Sequence, residues 1–322
     1  MTDFKAALDK LSSNSDNKSD QTVVIVGGTS GVGAGIARRI STTNNLGVSQ
    51  VIICGRNSER GQAIAKLVED NSENRIKARF IRGDVSTVTG IKQLAKDLAE
   101  SCGSSCIQHL IQTQNGPPTG DVTGGEDGED TNFFIQSISR PLLIHLLHES
   151  ETLSPKSILT CIANPGQTLP DLSIDDLSLT NKKKIENKYR FRFFMEQSAR
   201  DSCVLDASLK ELSDKHPQYT FLHLFPGLVS SEDAGQFIVP FPLNIAFKIA
   251  FALFSATPDD YSAAPVYLTF HPEAESTRQG GDQNSGSLRL FDSKLKPMTM
   301  GAWASDSSNR KQLWEKLVKM LD

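Results

Sequence analysis

Short apolar segments alternate with amphipathic segments along most of this chain. The first three apolar segments are short enough to be strands, and each is followed by apolar residues at helical spacing. The three pairs are residues 23–26 with 36–40, 51–54 with 60–68, and 80–81 with 91–98. Such alternation is typical of βαβ units, in which helices connect the strands of a parallel sheet.

The alternation continues through the rest of the chain without a change in composition that would mark a second domain. Further apolar or amphipathic segments lie at residues 109–112, 133–147, 157–162, 198–212, 221–225, 286–291 and 309–321. We therefore predict one α/β domain over residues 21–322, a single-domain, Rossmann-like, doubly wound parallel sheet, after a polar, mobile arm at residues 1–20. Polar stretches at 116–130 and 164–187 follow predicted strands, so we expect them at the ligand-binding edge of the sheet.

Composition narrows the partners and the compartment. The 322 residues carry a formal net charge of −4, which gives no electrostatic reason to expect nucleic acid or an anionic membrane as a partner. Five cysteines without a C-x-x-C pair favour reduced thiols in a cytoplasmic protein and predict no metal site. The apolar stretch at residues 237–256 is interrupted by two prolines, an asparagine and a lysine, which favours a buried or lid-like helix over a membrane span.

A glycine-rich turn follows the first predicted strand. Gly27-Gly28-Thr29-Ser30-Gly31-Val32-Gly33 lies between that strand and the first predicted helix. Glycine permits a tight turn and a close approach of the backbone to a pyrophosphate, and the N–H groups at a helix start hold phosphate oxygens. The context predicts a bound dinucleotide; the alternative is a glycine turn without a ligand. The residues predicted to bind it are Gly27, Thr29, Ser30, Gly31, Val32 and Gly33.

The spacing G-x-x-x-G-x-G resembles that of the short-chain dehydrogenase/reductase family. Three more motifs of that family have counterparts at residues 83–85, 112–116 and 226–231, so the resemblance spans residues 22–232. It implies a nicotinamide dinucleotide, with Asp84 at the adenine and Ser231 at the nicotinamide carboxamide, and it allows a homo-oligomer. The further cofactor contacts that it implies are Val85, Gln114, Pro226 and Gly227.

The end of the second predicted strand indicates which dinucleotide is preferred. A carboxylate at this position would favour NAD, because it would bind the ribose 2′-hydroxyl, whereas a cation favours the 2′-phosphate of NADP. Here the strand ends in Gly55-Arg56-Asn57, which offers a guanidinium and no acid. We therefore expect NADP(H), bound by Arg56; the alternative is that Arg56 is an ordinary surface charge.

The proton-donating residues of the family are absent where the resemblance would put them. The family uses a Tyr, a Lys four residues later, a Ser and an Asn, but no Y-x-x-x-K lies between residues 157 and 225. Counting back from Pro226 puts Glu196 at the Tyr position and Arg200 at the Lys position. The Ser and Asn positions hold Ala163 and Gln136. The candidate catalytic residues are Glu196, Arg200, Gln136 and Asn164; the alternative for Glu196 and Arg200 is a simple i,i+4 ion pair.

Loss of the usual donors disfavours ordinary carbonyl reduction and favours a substrate that is already electrophilic, such as an iminium ion stabilised by Glu196. The run Asn164-Pro165-Gly166 resembles fungal bifunctional reductase/Diels–Alderases of indole alkaloid biosynthesis, although that subgroup has Asp where this chain has Asn164. The resemblance implies an NADP(H)-dependent reductase of specialised metabolism that acts on a bulky, apolar imine or iminium under a lid at about residues 232–265. A coupled intramolecular Diels–Alder cycloaddition is a further option.

Two alternatives remain open. One is a conventional NADPH carbonyl reductase whose acid is displaced, for example to Tyr189. The other is a non-catalytic, NADP-binding regulatory module.

Overall fold

A computed structural model describes residues 20–104, 106–181, 190–230, 245, 251, 255–271 and 288–322. Within these residues, seven strands form one parallel sheet in the order β3-β2-β1-β4-β5-β6-β7. The strands are β1 Gln21–Val26, β2 Val48–Gly55, β3 Lys77–Arg82, β4 Ile107–Gln112, β5 Leu153–Ile162, β6 Thr220–Leu224 and β7 Leu288–Phe291. The predicted Rossmann-like, doubly wound sheet is confirmed.

Helices cover both faces of the sheet. They are α1 Gly31–Thr42, α2 Ser58–Asn71, α3 Val88–Cys102, α4 Ser139–Glu149, α5 Arg190–Lys215, α6 Pro258–Phe270, α7 Ala302–Ser305 and α8 Ser307–Lys319. A short helical turn, Thr131–Phe133, and a π-helical turn, Phe134–Ile138, lead directly into α4. Among the described residues, no helix is both long and apolar enough to cross a membrane.

The continuous apolar run in β1 reflects burial on both faces. Val23 and Ile25 belong to one apolar core, with residues of α1, α2 and α6. Val24 and Val26 belong to the other core, with residues of α3, α4 and α5. Side chains alternate between the faces of a strand, so a strand covered by helices on both sides needs apolar residues at every position.

The strand order reverses between β1 and β4, and this reversal fixes where a ligand can bind. Strands β2 and β3 extend from one side of β1, whereas β4 to β7 extend from the other. The connections therefore diverge at the carboxyl ends of β1 and β4 and leave a crevice there. The glycine turn follows β1, and the predicted loop at residues 116–130 follows β4, so both lie at this edge.

Two segments of the predicted organisation lie partly or wholly outside the described residues. Of the predicted arm at residues 1–20, only Asp20 is described. In the predicted lid at about 232–265, residues 258–265 belong to α6, which packs on α1 and is almost entirely buried. The predicted end of the lid therefore falls inside a helix of the domain body.

Arg140 connects α4 to the ends of two central strands. Its guanidinium is 1% exposed and donates to the carbonyl oxygen of Ile162, the last residue of β5, at 2.9 Å. It also donates to the carbonyl of Gln114, just beyond β4. The Gln112 amide in turn donates to the Arg140 carbonyl at 3.3 Å. These contacts satisfy carbonyls that would otherwise be buried without a partner, and they fix the carboxyl edge of the sheet.

We predict that Arg140→Met lowers the free energy of unfolding by about 2–4 kcal/mol, because each abandoned buried carbonyl loses a charge-assisted hydrogen bond. Urea unfolding followed by circular dichroism measures the change. Arg75→Met is the matched control: Arg75 is exposed, and its replacement is expected to cost less than about 0.5 kcal/mol. Equal stabilities of the two variants would contradict this role for Arg140.

Candidate active site

The glycine turn closes tightly against the segment that follows β4. Gly27 has a φ of +81°, and a Cβ there would lie 2.5 Å from the amide nitrogen of Gln114. A Cβ on Gly33 would lie 2.4 Å from the carbonyl oxygen of Gly27. Neither position accepts a side chain without movement of the backbone. The two glycines therefore allow the start of α1 to pack closely against the turn after β1, and this turn to pack closely against the segment after β4.

The described residues of the predicted cofactor set lie along one edge of the sheet. Thr29, Ser30, Gly31 and Val32 form the turn after β1 and the start of α1, where backbone N–H groups can hold phosphate oxygens. Gln114 follows β4; its side chain is buried and donates to Gln112 and Ser139, and its amide nitrogen faces Gly27.

The outer residues of the set follow β2, β3 and β6. Arg56 follows β2 directly and is exposed, and the exposed Asp84 follows β3, beside the buried Val85. Pro226 and Gly227 follow β6, whereas Ser231 lies outside the described residues. This arrangement fits an extended dinucleotide, with its phosphates at the start of α1 and a cation beside its adenosine half.

A small cavity of about 40 Å³ lies farther along this edge. It is bounded by the end of β5, the π-helical turn and the first part of α5. The lining residues are Pro118, Gln136, Ala163, Asn164, Ser198, Asp201 and Ser202.

The cavity brings together part of the predicted catalytic set. Gln136 lies in the π-helical turn, a distortion that is frequent at functional sites, and its Oε1 accepts a hydrogen bond from the Gly116 amide at 3.2 Å. Asn164 follows β5, and its amide donates to the Ser198 hydroxyl at 3.4 Å. Ala163 is the neighbour of Asn164 and also lines the cavity. Three of the positions predicted from the family motifs, Gln136, Ala163 and Asn164, therefore line the same cavity.

Glu196 and Arg200 do not line this cavity, and they do not pair with each other. Glu196 accepts from Arg192 at 3.3 Å. Arg200 is 1% exposed; its Nε donates to Asp201 at 2.8 Å, and its guanidinium lies 4.0 Å from the centre of the Phe133 ring. The guanidinium of Arg200 is therefore buried, and its partner Asp201 is the residue that lines the cavity.

Three residues of α5 at the cavity were not found by the sequence analysis: Ser198, Asp201 and Ser202. Ser198 and Ser202 are four residues apart, the spacing expected of the family's Tyr and Lys, but two positions later than Glu196 and Arg200. Residues i, i+3 and i+4 share a helix face. The same spacing is thus present in the sequence at Ser198 and Ser202, but Glu196 and Arg200, two positions earlier, lie on the nearly opposite face of α5.

The electrostatics of the cavity are dominated by Asp201. Burial raises the pKa of its carboxyl to about 6, and the nearby Arg200 only partly opposes this effect. The Asn164 loop is fixed from behind by Asp206, which accepts from the Gly166 amide at 2.7 Å and pairs with the buried His223 at 2.7 Å. Among the described residues, no group of three His, Cys, Asp or Glu side chains could hold a metal ion.

We predict that Gly33→Ala weakens the binding of NADPH at least about tenfold and lowers the free energy of unfolding by about 1–3 kcal/mol, because the new methyl group displaces the backbone of Gly27. Fluorescence titration with NADPH and urea unfolding measure the two effects. Gly124→Ala is the matched control, since a Cβ there has no atom within 4 Å. Unchanged affinity in Gly33→Ala would contradict this geometry.

Comparisons with known proteins agree with this architecture. Residues 21–112 match the family model described as short chain dehydrogenase. Oxidoreductase AN1596 of Emericella nidulans is 26% identical over 212 residues, which cover 65% of this chain and 59% of that protein. The chain thus aligns with less than two thirds of this relative's length.

Two solved structures share the fold. The MalC reductase/Diels-Alderase of Malbranchea aurantiaca has a TM-score of 0.55 at 18% identity, over 88% of this chain and 96% of its own. An actinorhodin polyketide ketoreductase with NADPH has a TM-score of 0.56 at 16% identity, over 85% of this chain and 95% of its own. These similarities agree with the resemblance predicted from the glycine turn: residues 21–112 are similar to the short-chain dehydrogenase model, and the fold is that of the two reductase structures.

Proposed function

We propose that the protein is an NADP(H)-dependent reductase of specialised metabolism that acts on a bulky, apolar imine or iminium. The observation that carries the proposal is the composition of the cavity at the carboxyl edge. Its described lining contains amide, hydroxyl and carboxyl groups but neither a tyrosine nor a lysine. The glycine turn offers a place for a dinucleotide, and this lining offers no tyrosine as a proton donor. Together they favour a substrate whose reduction does not need a tyrosine hydroxyl to donate a proton.

The chemistry of the two substrate classes explains this preference. Reduction of a ketone builds negative charge on oxygen, and the loss of one well-placed donor costs about 3 kcal/mol of transition-state stabilisation. Reduction of an iminium instead removes positive charge from nitrogen, which needs no donor to oxygen. NADPH would supply the hydride, whereas the carboxyl and amide groups of the cavity would contact the cationic nitrogen; at about 40 Å³ the cavity takes only that end of the substrate.

Support for NADP(H) comes from the end of β2. Arg56 is exposed and makes no hydrogen bond or ion pair with the described residues, so its guanidinium is available to a phosphate. The adjacent Asn57 is occupied in capping α2, where its side chain accepts from the Arg60 amide at 2.9 Å.

We expect Arg56→Asp to raise the Kd for NADPH at least about tenfold and to leave the Kd for NADH nearly unchanged, because only NADPH carries the 2′-phosphate. Isothermal titration calorimetry with each dinucleotide measures both constants. Arg75→Asp makes the same charge change near the amino end of β3, away from the carboxyl edge, and is expected to affect neither. Equal losses in the two variants would mean that only net charge matters.

A coupled cycloaddition is the finer part of the proposal. The Asn164-Pro165-Gly166 run follows β5 at the cavity, and the MalC structure, whose description names both activities, shares the fold. Orientation of a diene and a dienophile needs shape more than chemical groups. A product mixture identical with and without protein, from a reduced substrate that carries both groups, would remove this part alone.

The reductase itself is tested with two probes of similar size, the N-methyl-3,4-dihydroisoquinolinium ion and the ketone 1-tetralone. We expect one NADPH oxidised per amine formed, and a kcat/KM at least about 100-fold higher for the iminium, which corresponds to the loss of a donor to oxygen. NADPH absorbance and mass spectrometry of the product give both quantities.

Each other outcome identifies one alternative. Preference for the ketone, abolished in Tyr189→Phe, would favour a conventional carbonyl reductase with a displaced acid. Tight binding of NADPH without turnover of either probe would favour a regulatory module. Glu196→Gln tests the predicted stabilisation of the cation by Glu196: a selective loss of iminium reduction would support it.

A further inference from the structure

The carboxyl of Asp201 is held by one oxygen and open at the other. The residue is 6% exposed and lines the cavity together with Ser198 and Ser202. Arg200 donates to Oδ1 at 2.8 Å. Oδ2 has no hydrogen-bond partner among the described residues, yet it is not among their fully buried, unpartnered atoms. Because Asp201 lines the cavity and Oδ2 keeps exposed surface without a partner, we take this second oxygen as the atom that a molecule in the cavity contacts.

Charged groups from three elements surround this carboxyl. Arg200 lies on α5 itself, Arg140 on α4, and Asp130 precedes the short turn that leads into the π-helical segment. Burial and Asp130 raise the pKa of Asp201, whereas the two arginines lower it, and the result is about 6. Both protonation states are thus accessible near neutral pH, as an acid–base group requires.

The partner of Asp201 is fixed independently of any ligand. The Arg200 guanidinium lies over the Phe133 ring, and its NH1 donates to the Leu177 carbonyl at 3.2 Å. Because Arg200 is held on three sides, it fixes the orientation of the Asp201 carboxyl toward the cavity. Arg200 is therefore a positioning residue for Asp201.

We propose that Asp201 is the acid–base group of the cavity: it protonates the nitrogen of a neutral imine and then stabilises the resulting cation. This inference rests on the proposed reductase function. The Asp201 O–H bond breaks and an N–H bond forms, the iminium carbon accepts hydride from NADPH, and the carboxylate regains a proton from water. The sum is imine, NADPH and one proton converted to amine and NADP⁺. The substrate class is thereby narrowed to compounds with a basic nitrogen.

The test compares two substrates with the same ring system, of which only one needs a proton. 3,4-Dihydroisoquinoline must be protonated before it is reduced, whereas its N-methyl iminium is already cationic. We expect Asp201→Asn to lower kcat for the neutral imine at least about 100-fold and for the iminium less than about tenfold, with NADPH affinity unchanged. Asp171→Asn, at an exposed site, is the control and is expected to change none of these.

The wild-type protein provides a second measurement that does not depend on the variant folding. As pH rises through about 6, the rate with the neutral imine is expected to fall, because the proton donor is lost, whereas the rate with the iminium rises to a plateau, because the carboxylate forms. Calorimetry with the cationic product amine 1,2,3,4-tetrahydroisoquinoline is expected to show affinity rising over the same pH range.

The outcomes separate this inference from the proposed function. If the wild type reduces both probes with parallel pH profiles, or if Asp201→Asn slows both equally, the role of Asp201 is overturned and the reductase stands. If the wild type binds NADPH but reduces neither probe, the reductase fails. Binding of the amine that is independent of pH and of Asp201→Asn would then overturn the role of Asp201 as well.

Discussion

The arrangement of the carboxyl edge depends on one buried guanidinium. Arg140 reaches from α4 to carbonyls beyond β4 and at the end of β5, so helix and strands are connected where the chain begins to form the site. Burial lowers the pKa of this arginine. The carbonyl oxygens that accept its hydrogen bonds and the nearby Asp201 carboxyl stabilise its positive charge. The Arg140 guanidinium thus holds the backbone at the carboxyl edge and also lowers the pKa of Asp201, which carries the only carboxyl in the described cavity lining.

The two halves of the candidate site obey different constraints. The glycine turn is constrained by sterics, because Gly27 and Gly33 leave no room for a Cβ. The cavity beside α5 is constrained by charge, because a buried acid there needs its arginine. The first set of constraints keeps the turn after β1 close to the segment after β4, whereas the second determines the charge beside α5. One fold can carry different sites when only the second set changes.

The sequence predicted the sheet well, because burial on both faces leaves unbroken apolar runs such as residues 23–26. It predicted α6 poorly: this helix is buried on all sides from Tyr261 to Thr269 and contains Pro265, so it shows no amphipathic pattern. The tight turn after β1 was readable from glycine spacing alone. The face of α5 was not, because a shift of two residues turns a helix by about 200° and a count from a distant motif cannot fix it. The exchange of Arg200 for Asp201 at the cavity is a consequence of tertiary packing.

The π-helical turn at Phe134–Ile138 adds one residue to a helix that would otherwise be regular. An extra residue advances the angular phase of everything that precedes it by about 100° relative to α4. Gln136 lies in the middle of this turn and accepts a hydrogen bond from the Gly116 amide. Removal of one residue from this turn would therefore change the direction in which its side chains point as well as the length of the segment, and a different side chain would face the loop at Gly116.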